Sequence, residues 1–152
     1  MLIALGVDHA AFGYKDAIRR EVEGLGHTVL DCGTDGPASV DYPAIALSVA
    51  RAVRDGQAAM GIFLCGTGIG GSIVANKVHG VRAALCHGAY TARLSRLHNN
   101  ANVLCLGARV VGLDLALEIV RTWVTTPWTA EDRHTRRLQQ VAAAEETETV
   151  AR

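Results

Sequence analysis

The chain has 152 residues, a formal net charge of zero, 49% hydrophobic residues and 20% charged residues. This length fits one domain, residues 1–152, with a sizeable core, and the composition is that of a globular protein rather than a disordered one. The zero charge gives no general reason to bind nucleic acid or a membrane surface. No run of about 18 apolar residues predicts a membrane span, so we expect a cytoplasmic protein.

Apolar runs alternate with segments of helical periodicity from the first residues onward. Leu2–Val7 predicts a strand, and Tyr14, Ile18, Val22 and Leu25 follow it at helical spacing. The pattern recurs in Thr28–Cys32 then Tyr42–Asp55, Met60–Cys65 then Gly70–Asn76, Val81–Cys86 then Ala89–Asn99, and Val103–Leu106 then Leu113–Thr125. Pro127 ends this series, and Ala130–Glu146 predicts a last helix within a C-terminal segment, 130–152.

Buried strands that alternate with helices are typical of a parallel sheet covered on both faces. The sequence therefore predicts an α/β fold, a three-layer α/β/α sandwich around a five-stranded, Rossmann-like parallel sheet, with an extra C-terminal helix. Ligands of such sheets bind beyond the carboxyl ends of the strands. The candidates after the strands are Asp8-His9, 33–42, Cys65–Gly71, His87 and Gly107–Arg109.

The distribution of charge indicates the kind of ligand, and the spacing of the cysteines argues against a zinc site. The stretch Gly56–Leu113 contains no Asp or Glu but holds five cations, which favours an anionic ligand; they are Lys77, Arg82, Arg93, Arg96 and Arg109. The four cysteines lie in or after apolar runs without Cys-x-x-Cys spacing, so we expect reduced thiols and no zinc site; they are Cys32, Cys65, Cys86 and Cys105.

A glycine-rich loop follows the third predicted strand. Gly66, Gly68 and Gly71 satisfy G-x-G-x-x-G, which makes a nucleotide-binding regulatory module one hypothesis. No carboxylate lies near the end of the next strand to hold a ribose, so we favour a cradle of backbone N–H groups for an oxyanion. Cys65 precedes this cradle, where a thiolate could act as a base or a nucleophile, or the side chain could simply be buried.

Asp8 and His9 follow the first predicted strand, which should neighbour the third. We therefore expect Asp8-His9 and Cys65–Thr67 to face one crevice, although Asp8 could equally be a helix N-cap. The segment His98-Asn99-Asn100 ends a predicted helix, and Arg133–Arg137 could be a solvated helix face.

Taken together, these segments closely resemble the ribose-5-phosphate isomerase B family, which also contains allose-6-phosphate and galactose-6-phosphate isomerases. The resemblance covers nearly the whole chain, in Gly6–His9, Asp41–Pro43, Cys65–Gly70, Ala75–Lys77, His98–Val103, Gly107–Gly112, Arg133, His134 and Arg137. It implies strand order 2-1-3-5-4 and homodimers or pairs of dimers. It also implies a cis-enediolate interconversion of ribose 5-phosphate and ribulose 5-phosphate. The sequence shows no cluster of carboxylates and histidines for a metal-assisted hydride shift, so we expect no metal or other cofactor.

The resemblance also implies roles for individual residues. Cys65 would move the proton between C2 and C1, and Thr67 with the amides of Gly66, Gly68, Gly70 and Gly71 would hold the enediolate. His98 and Asp8 would open the furanose ring, and Asn99 and Tyr42 would orient the sugar. The phosphate would be bound by His9, Arg109, Arg133, His134 and Arg137, since arginine forks suit a dianion.

One family branch replaces the cysteine by a glutamate six positions later, so Cys65 and Gly71 place this chain in the cysteine branch. Many relatives carry a larger residue than Gly71, and we expect extra room there. Six-carbon sugar phosphates and related free sugars therefore stay open as substrates. A cysteine hydrolase or acyl-transfer enzyme built on Cys65 and a histidine is a further hypothesis.

The candidate residues spread over too much of one small domain for a single chain to bring them together. The resemblance implies sites shared across a two-fold dimer, with His98, Asn99 and Arg109 given by the partner. Whether the Arg133–Arg137 segment crosses instead is left open by the sequence.

Overall fold

The computed structural model describes the backbone of residues 1–150 and the side chains of residues 1–147; the predicted tail residues 151 and 152 lie outside the described part. The strands are β1 Leu2–Val7, β2 Thr28–Asp31, β3 Met60–Cys65, β4 Ala83–Leu85 and β5 Val103–Gly107. The helices are α1 Lys15–Gly24, α2 Tyr42–Arg54, α3 Ile69–Ala75, α4 Ala89–Asn99, α5 Leu113–Thr125 and α6 Asp132–Val150.

All strand pairs are parallel, in the order β2-β1-β3-β5-β4. The predicted α/β fold and strand order are confirmed. The chain leaves β1 towards β2 on one side and returns to β3 on the other, so the order reverses between β1 and β3. The crevice beyond the carboxyl ends of β1 and β3 is therefore the switch point where ligands of such sheets bind.

Both faces of the sheet are buried, which explains why the strands are continuous apolar runs. One face packs Leu5, Ile62 and Leu104 against α1 and α5, with Trp123 fully buried among them. The opposite face packs Phe63 against α2 and α3. Successive β3 side chains alternate between the two layers, so Phe63 and Cys65 lie on the same face.

Several predicted boundaries are wrong by one residue, and the largest errors lie at β4 and α6. β4 begins at Ala83 rather than Val81, because Val81 closes a turn on Val78 and the Arg82 amide donates to the Asn102 side chain. α6 begins at Asp132 rather than Ala130, because Ala130 has φ 52°, which no α-helix accommodates, and it runs on to Val150 instead of stopping at residue 146. Within the described residues no helix is long and apolar enough to span a membrane.

Candidate active site

The loop after β3 is fixed against the turn after β5. Cys65 lies opposite Gly107 in the sheet register, the Ala108 amide donates to the Cys65 carbonyl at 2.9 Å, and the Arg109 amide donates to the Gly66 carbonyl at 2.9 Å. A Cβ atom on Gly107 would lie 2.5 Å from the backbone of Thr67. Glycine at 107 therefore lets the loop approach the sheet closely.

Cys65 is nearly buried, with 5% of its surface exposed, and its sulfur faces the loop. The Gly68 amide donates to Cys65 Sγ at 3.2 Å. Gly68 has φ 77°, a left-handed conformation that glycine adopts at little cost, and this conformation lets its N–H point back to the sulfur. Thr67 is exposed at the crest of the loop, and its Oγ1 accepts the Ile69 amide at 3.4 Å.

Asp8 and His9 lie beside this loop, as the sequence analysis expected of two neighbouring strands. The Asp8 amide donates to the Leu64 carbonyl at 3.0 Å. Asp8 Oδ1 accepts the amides of Ala10 and Ala11, so this buried carboxylate does cap the turn that follows β1. His9 Nδ1 accepts the Val40 amide at 3.2 Å, which leaves the proton of a neutral ring on Nε2, available to donate to a ligand.

The first turn of α3 is held between two aromatic rings. A Cβ on Gly70 would lie 2.5 Å from the phenol of Tyr42, whereas a Cβ on Gly71 would lie 2.1 Å from the ring of Phe63. Phe63 is fully buried, so its ring already fills the space beside Gly71. The expected extra room at Gly71 is therefore wrong.

Arg109 completes the set at the carboxyl edge of the sheet. Its Cδ and Cζ lie within about 3.7 Å of where a Cβ on Gly66 would be. Arg109 thus lies beside Cys65 of its own chain and not with His98, with which the sequence analysis grouped it. We call the following residues the Cys65 group: Asp8, His9, Tyr42, Cys65, Gly66, Thr67, Gly68, Gly70, Gly71 and Arg109.

The remaining candidates lie near the amino-terminal ends of the strands, opposite the Cys65 group. We call the following residues the His98 group: His98, Asn99, Arg133, His134 and Arg137. Cys65 pairs with Gly107 while Gly61 pairs with Val103, so the start of β5, just after the His98 segment, is about 13 Å from Cys65 along the strands. α4 also runs back over its 11 residues, about 16 Å, before it reaches His98. One chain therefore does not bring the two groups together.

Within the His98 group, two imidazole rings stack. The centroids of His98 and His134 lie 4.3 Å apart, with 14° between the ring planes. His134 is 3% exposed, and its Nε2 is buried without a hydrogen-bond partner. Burial lowers the pKa of His134, and the neighbouring His98, Arg133 and Arg137 lower it further, against an opposing effect of Glu131. Arg133 and Arg137 are exposed on either side of His134 on α6.

Two arginines that were expected from the sequence to favour an anionic ligand bind backbone carbonyls instead. Arg82 donates to the carbonyls of Asn99 and Asn100, and Arg96 donates to the carbonyl of Ala101. Both arginines are half-buried. In the sequence, only the motif H-N-N-A-N, whose backbone carbonyls these arginines bind, could have indicated that the two arginines have a structural role.

An open groove of about 1030 Å³ lies between α6 and the β4 side of the sheet. Asn99 of the His98 group lines it together with Arg82, Leu138 and Val141, but no member of the Cys65 group does. Among the residues that the structure describes, no three His, Cys, Asp or Glu side chains gather closely enough to hold a metal ion.

Comparison with known proteins identifies the family of this fold and site. The family model described as Ribose/Galactose Isomerase matches residues 3–141. The chain belongs to the ribose/galactose isomerase family. This match covers both the Cys65 group and the His98 group.

Individual ribose/galactose isomerases are similar over most of the chain. Ribose-5-phosphate isomerase B of Escherichia coli is 44% identical over 144 residues, 95% of this chain and 96% of that protein. D-erythrulose-4-phosphate isomerase of Pectobacterium atrosepticum is 48% identical over 123 residues, 80% of this chain and 81% of that protein. The structure of Clostridium thermocellum ribose-5-phosphate isomerase B superimposes with a TM-score of 0.94 at 48% identity, covering 97% of this chain and 99% of that one.

Proposed function

We propose that this chain is a cytoplasmic aldose-ketose isomerase that interconverts ribose 5-phosphate and ribulose 5-phosphate through a cis-enediolate, without a metal ion. The observation that carries the proposal is the thiol of Cys65 in a cradle of amides, with the Gly68 N–H 3.2 Å from its sulfur. Relatives named ribose-5-phosphate isomerase B support the substrate.

The isomerisation is a proton transfer between two carbons. Cys65 as thiolate removes the proton from C2 of the open-chain aldose, and the electron pair forms the C1–C2 double bond as negative charge moves to O1. Transfer of the O2 proton to O1 moves the negative charge to O2, and return of the proton from Cys65 to C1 then leaves the carbonyl at C2. Thr67 and the amides of Gly66, Gly68, Gly70 and Gly71 hold the enediolate, because preorganised donors stabilise charge that develops during the reaction.

The other residues bind and prepare the substrate. His98, with Asp8, transfers the protons that open the furanose ring, while Asn99 and Tyr42 orient the sugar. The phosphate is bound by cations and donors from both groups; these are His9, Arg109, Arg133, His134 and Arg137. The Nε2–H of His9 is consistent with this role, since Nδ1 is already an acceptor for Val40.

We further propose that each active site combines the Cys65 group of one chain with the His98 group of a second, in a two-fold homodimer or a pair of such dimers. The distance of about 13 Å along β5 is the reason that a partner is needed. Large apolar side chains near the Cys65 loop are about half exposed, as a surface covered by another chain would be; these are Ile69, Ile73 and Val110.

Subunit mixing tests the shared site. Cys65→Ala and His98→Ala chains are each inactive, but a mixed dimer regenerates one intact site of two. Half of the randomly exchanged dimers are mixed, so we expect about a quarter of wild-type activity. Arg137→Ala should complement Cys65→Ala in the same way, because Arg137 belongs to the His98 group.

Pairs from one group are the matched controls. Arg109→Ala mixed with Cys65→Ala should recover nothing, and neither should Arg137→Ala mixed with His98→Ala, because each such pair leaves both sites damaged. Native mass spectrometry verifies that mixed dimers form. Verified mixed dimers without activity in the cross-group pairings would show that the site lies within one chain.

Isotope exchange tests the proton transfer itself. Turnover by the wild type in D₂O should place deuterium at C1 of ribulose 5-phosphate or C2 of ribose 5-phosphate, and Cys65→Ala should bind ribose 5-phosphate without turning it over. A fully active Cys65→Ala variant would exclude Cys65 as the base. A covalent substrate adduct trapped on Cys65 would favour acyl or hydrolytic chemistry instead.

A four-carbon sugar phosphate is the second candidate substrate. The Pectobacterium relative, named for D-erythrulose 4-phosphate, shares 48% identity over 80% of this chain. The Phe63 ring beside Gly71 also leaves no added space there for a longer sugar. The ranking of kcat/KM over four-, five- and six-carbon aldose phosphates separates these substrates, and the proposal requires ribose 5-phosphate to rank first.

A further inference from the structure

The end of α4 turns sharply just where the His98 group needs a fixed position. Asn100 has φ 41°, a left-handed conformation that ends the helix one residue after Asn99. The last carbonyls of a helix have no partners within it, so that of Asn99 needs a donor from elsewhere, as do those of Asn100 and Ala101 just beyond the helix.

Two guanidinium groups supply these donors. Arg82 Nε lies 3.1 Å from the Asn99 carbonyl and 3.2 Å from the Asn100 carbonyl, and Arg82 Nη2 lies 3.0 Å from the latter. Arg96 Nη1 binds Asn100 Oδ1 at 2.9 Å and the Ala101 carbonyl at 2.6 Å. The two arginines thus donate hydrogen bonds to the turn from both sides, and we call Arg82 and Arg96 the arginine clasp.

The clasp is itself anchored in the fold. The Arg82 amide donates to Asn102 Oδ1 at 2.7 Å at the start of β5. Arg96 Nε binds the Thr126 carbonyl, and its Cζ lies 5.7 Å from the centre of the buried Trp123 ring. Burial lowers the pKa of both arginines, the charge of Arg82 lowers that of Arg96 further, and the charge of Glu145 opposes the effect on Arg82. Two like charges are therefore kept half-buried beside each other, which costs free energy that the carbonyl contacts and Glu145 partly offset.

We propose that Arg82 and Arg96 are positioning residues that set the place of His98 and Asn99 for ring opening. This inference rests on the proposed function. A planar guanidinium group that binds two carbonyls fixes both the distance and the angle between them. The single ammonium group of lysine does not. A small displacement of His98 should then slow the step that His98 catalyses and leave the Cys65 chemistry unchanged.

Substrate chemistry separates the two steps. Ribose 5-phosphate is largely a furanose, closed through O4, and must be opened before C2 can react. Ribulose 5-phosphate stays open, because the oxygen that would close a five-membered ring carries the phosphate; O4 of erythrose 4-phosphate is blocked likewise. Because the equilibrium constant fixes the ratio of kcat/KM in the two directions, ribulose 5-phosphate is followed by deuterium exchange at C1 in D₂O, which passes through the enediolate and needs no ring closure. A variant with a misplaced His98 should therefore lose activity on ribose 5-phosphate and keep both its activity on erythrose 4-phosphate and this exchange.

The experiment compares Arg82→Lys and Arg96→Lys with His98→Ala as reference and Arg93→Lys as control. Arg93 lies on the same helix but is exposed over Tyr90 and does not contact the turn. We expect kcat/KM for ribose 5-phosphate to fall roughly 10- to 100-fold in the clasp variants, against less than about threefold for turnover of erythrose 4-phosphate and for deuterium exchange at C1 of ribulose 5-phosphate. Arg93→Lys should match the wild type on all three.

Amide hydrogen exchange at Asn100 and Ala101 reports the position of the turn independently of chemistry, and it should accelerate only in the clasp variants. The inference is overturned if these variants keep full activity on ribose 5-phosphate, or if they lose activity equally on all three substrates. His98→Ala is judged separately: an equal loss on every substrate would refute its assigned ring-opening role. A selective loss in His98→Ala without one in the clasp variants would refute the clasp alone.

Discussion

The contact between Gly71 and Phe63 predicts that these positions tolerate change only together. An alanine Cβ at 71 would lie 2.1 Å from Cε1 and 2.3 Å from Cδ1 of the ring, where carbon atoms normally keep at least about 3.5 Å. The ring must therefore move by about 1.4 Å inside a fully packed layer. Such overpacking lowers the free energy of unfolding by about 3 kcal/mol, and the better helix propensity of alanine raises it by about 1 kcal/mol.

We therefore expect Gly71→Ala to lower the free energy of unfolding by about 2 kcal/mol. Phe63→Leu should lower it by about 1.5 kcal/mol through the space it leaves. In the double variant the smaller leucine makes room for the new methyl group. The propensity gain of alanine remains while the overpacking is relieved, so the loss should be about 3 kcal/mol less than the sum of the single losses, at the upper end of the range seen for residues in contact.

Urea unfolding at one fixed chain concentration measures all four proteins, since an oligomer's stability depends on concentration. Gly24→Ala is the matched control, because a Cβ there would meet nothing within 4 Å, and it should be no less stable than the wild type. The isomerase activity that Gly71→Ala loses should return in the double variant. Additive losses, or an undisturbed Gly71→Ala, would refute the idea that the ring occupies this space.

Three further outcomes are expected. Exhaustive chelation should leave the isomerisation rate unchanged, and a loss reversed by a divalent ion would exclude the metal-free mechanism. Because the pKa of His134 is lowered in the folded chain, the unfolded chain binds more protons, so stability should fall as the pH drops below the ordinary histidine value of 6.5. His134→Phe should reduce that fall in thermal midpoint, and parallel curves would contradict it. Asn100→Ala should cost about 1 to 2 kcal/mol more than Asn100→Gly because φ is 41°, and equal urea midpoints would contradict this.

Much of the fold was predictable because apolar runs and helical periodicity are local signals. The predicted helix Ala89–Asn99 and strand Met60–Cys65 have the bounds that the structure gives them. The errors arose where a distant side chain satisfies the backbone, as Asn102 does for Arg82, or where a residue such as Ala130 adopts a positive φ against its propensity.

The Cys65 group was largely predictable because each member follows a strand at the same edge of the sheet. Arg109 also follows a strand directly, and that position was the signal that should have separated it from His98. The Phe63 ring beside Gly71 and the Arg82 and Arg96 contacts depend on side chains that meet only in the folded chain. Apart from the motif H-N-N-A-N near the arginines, no spacing in the sequence indicates these contacts.

The outer edge of the sheet at β4 is closed by a side chain instead of a strand. Asn76 accepts the Ala83 amide at 2.8 Å and donates to the Ala83 carbonyl at 2.9 Å, as a neighbouring strand would. The backbone groups of Ala83 that could recruit a strand from another molecule are thus already occupied. An exposed strand edge is a common route to aggregation, so this one amide protects a three-residue strand against it. Contacts with another chain at this edge of the sheet are then left to helices and loops, where the composition of the contact can be selective.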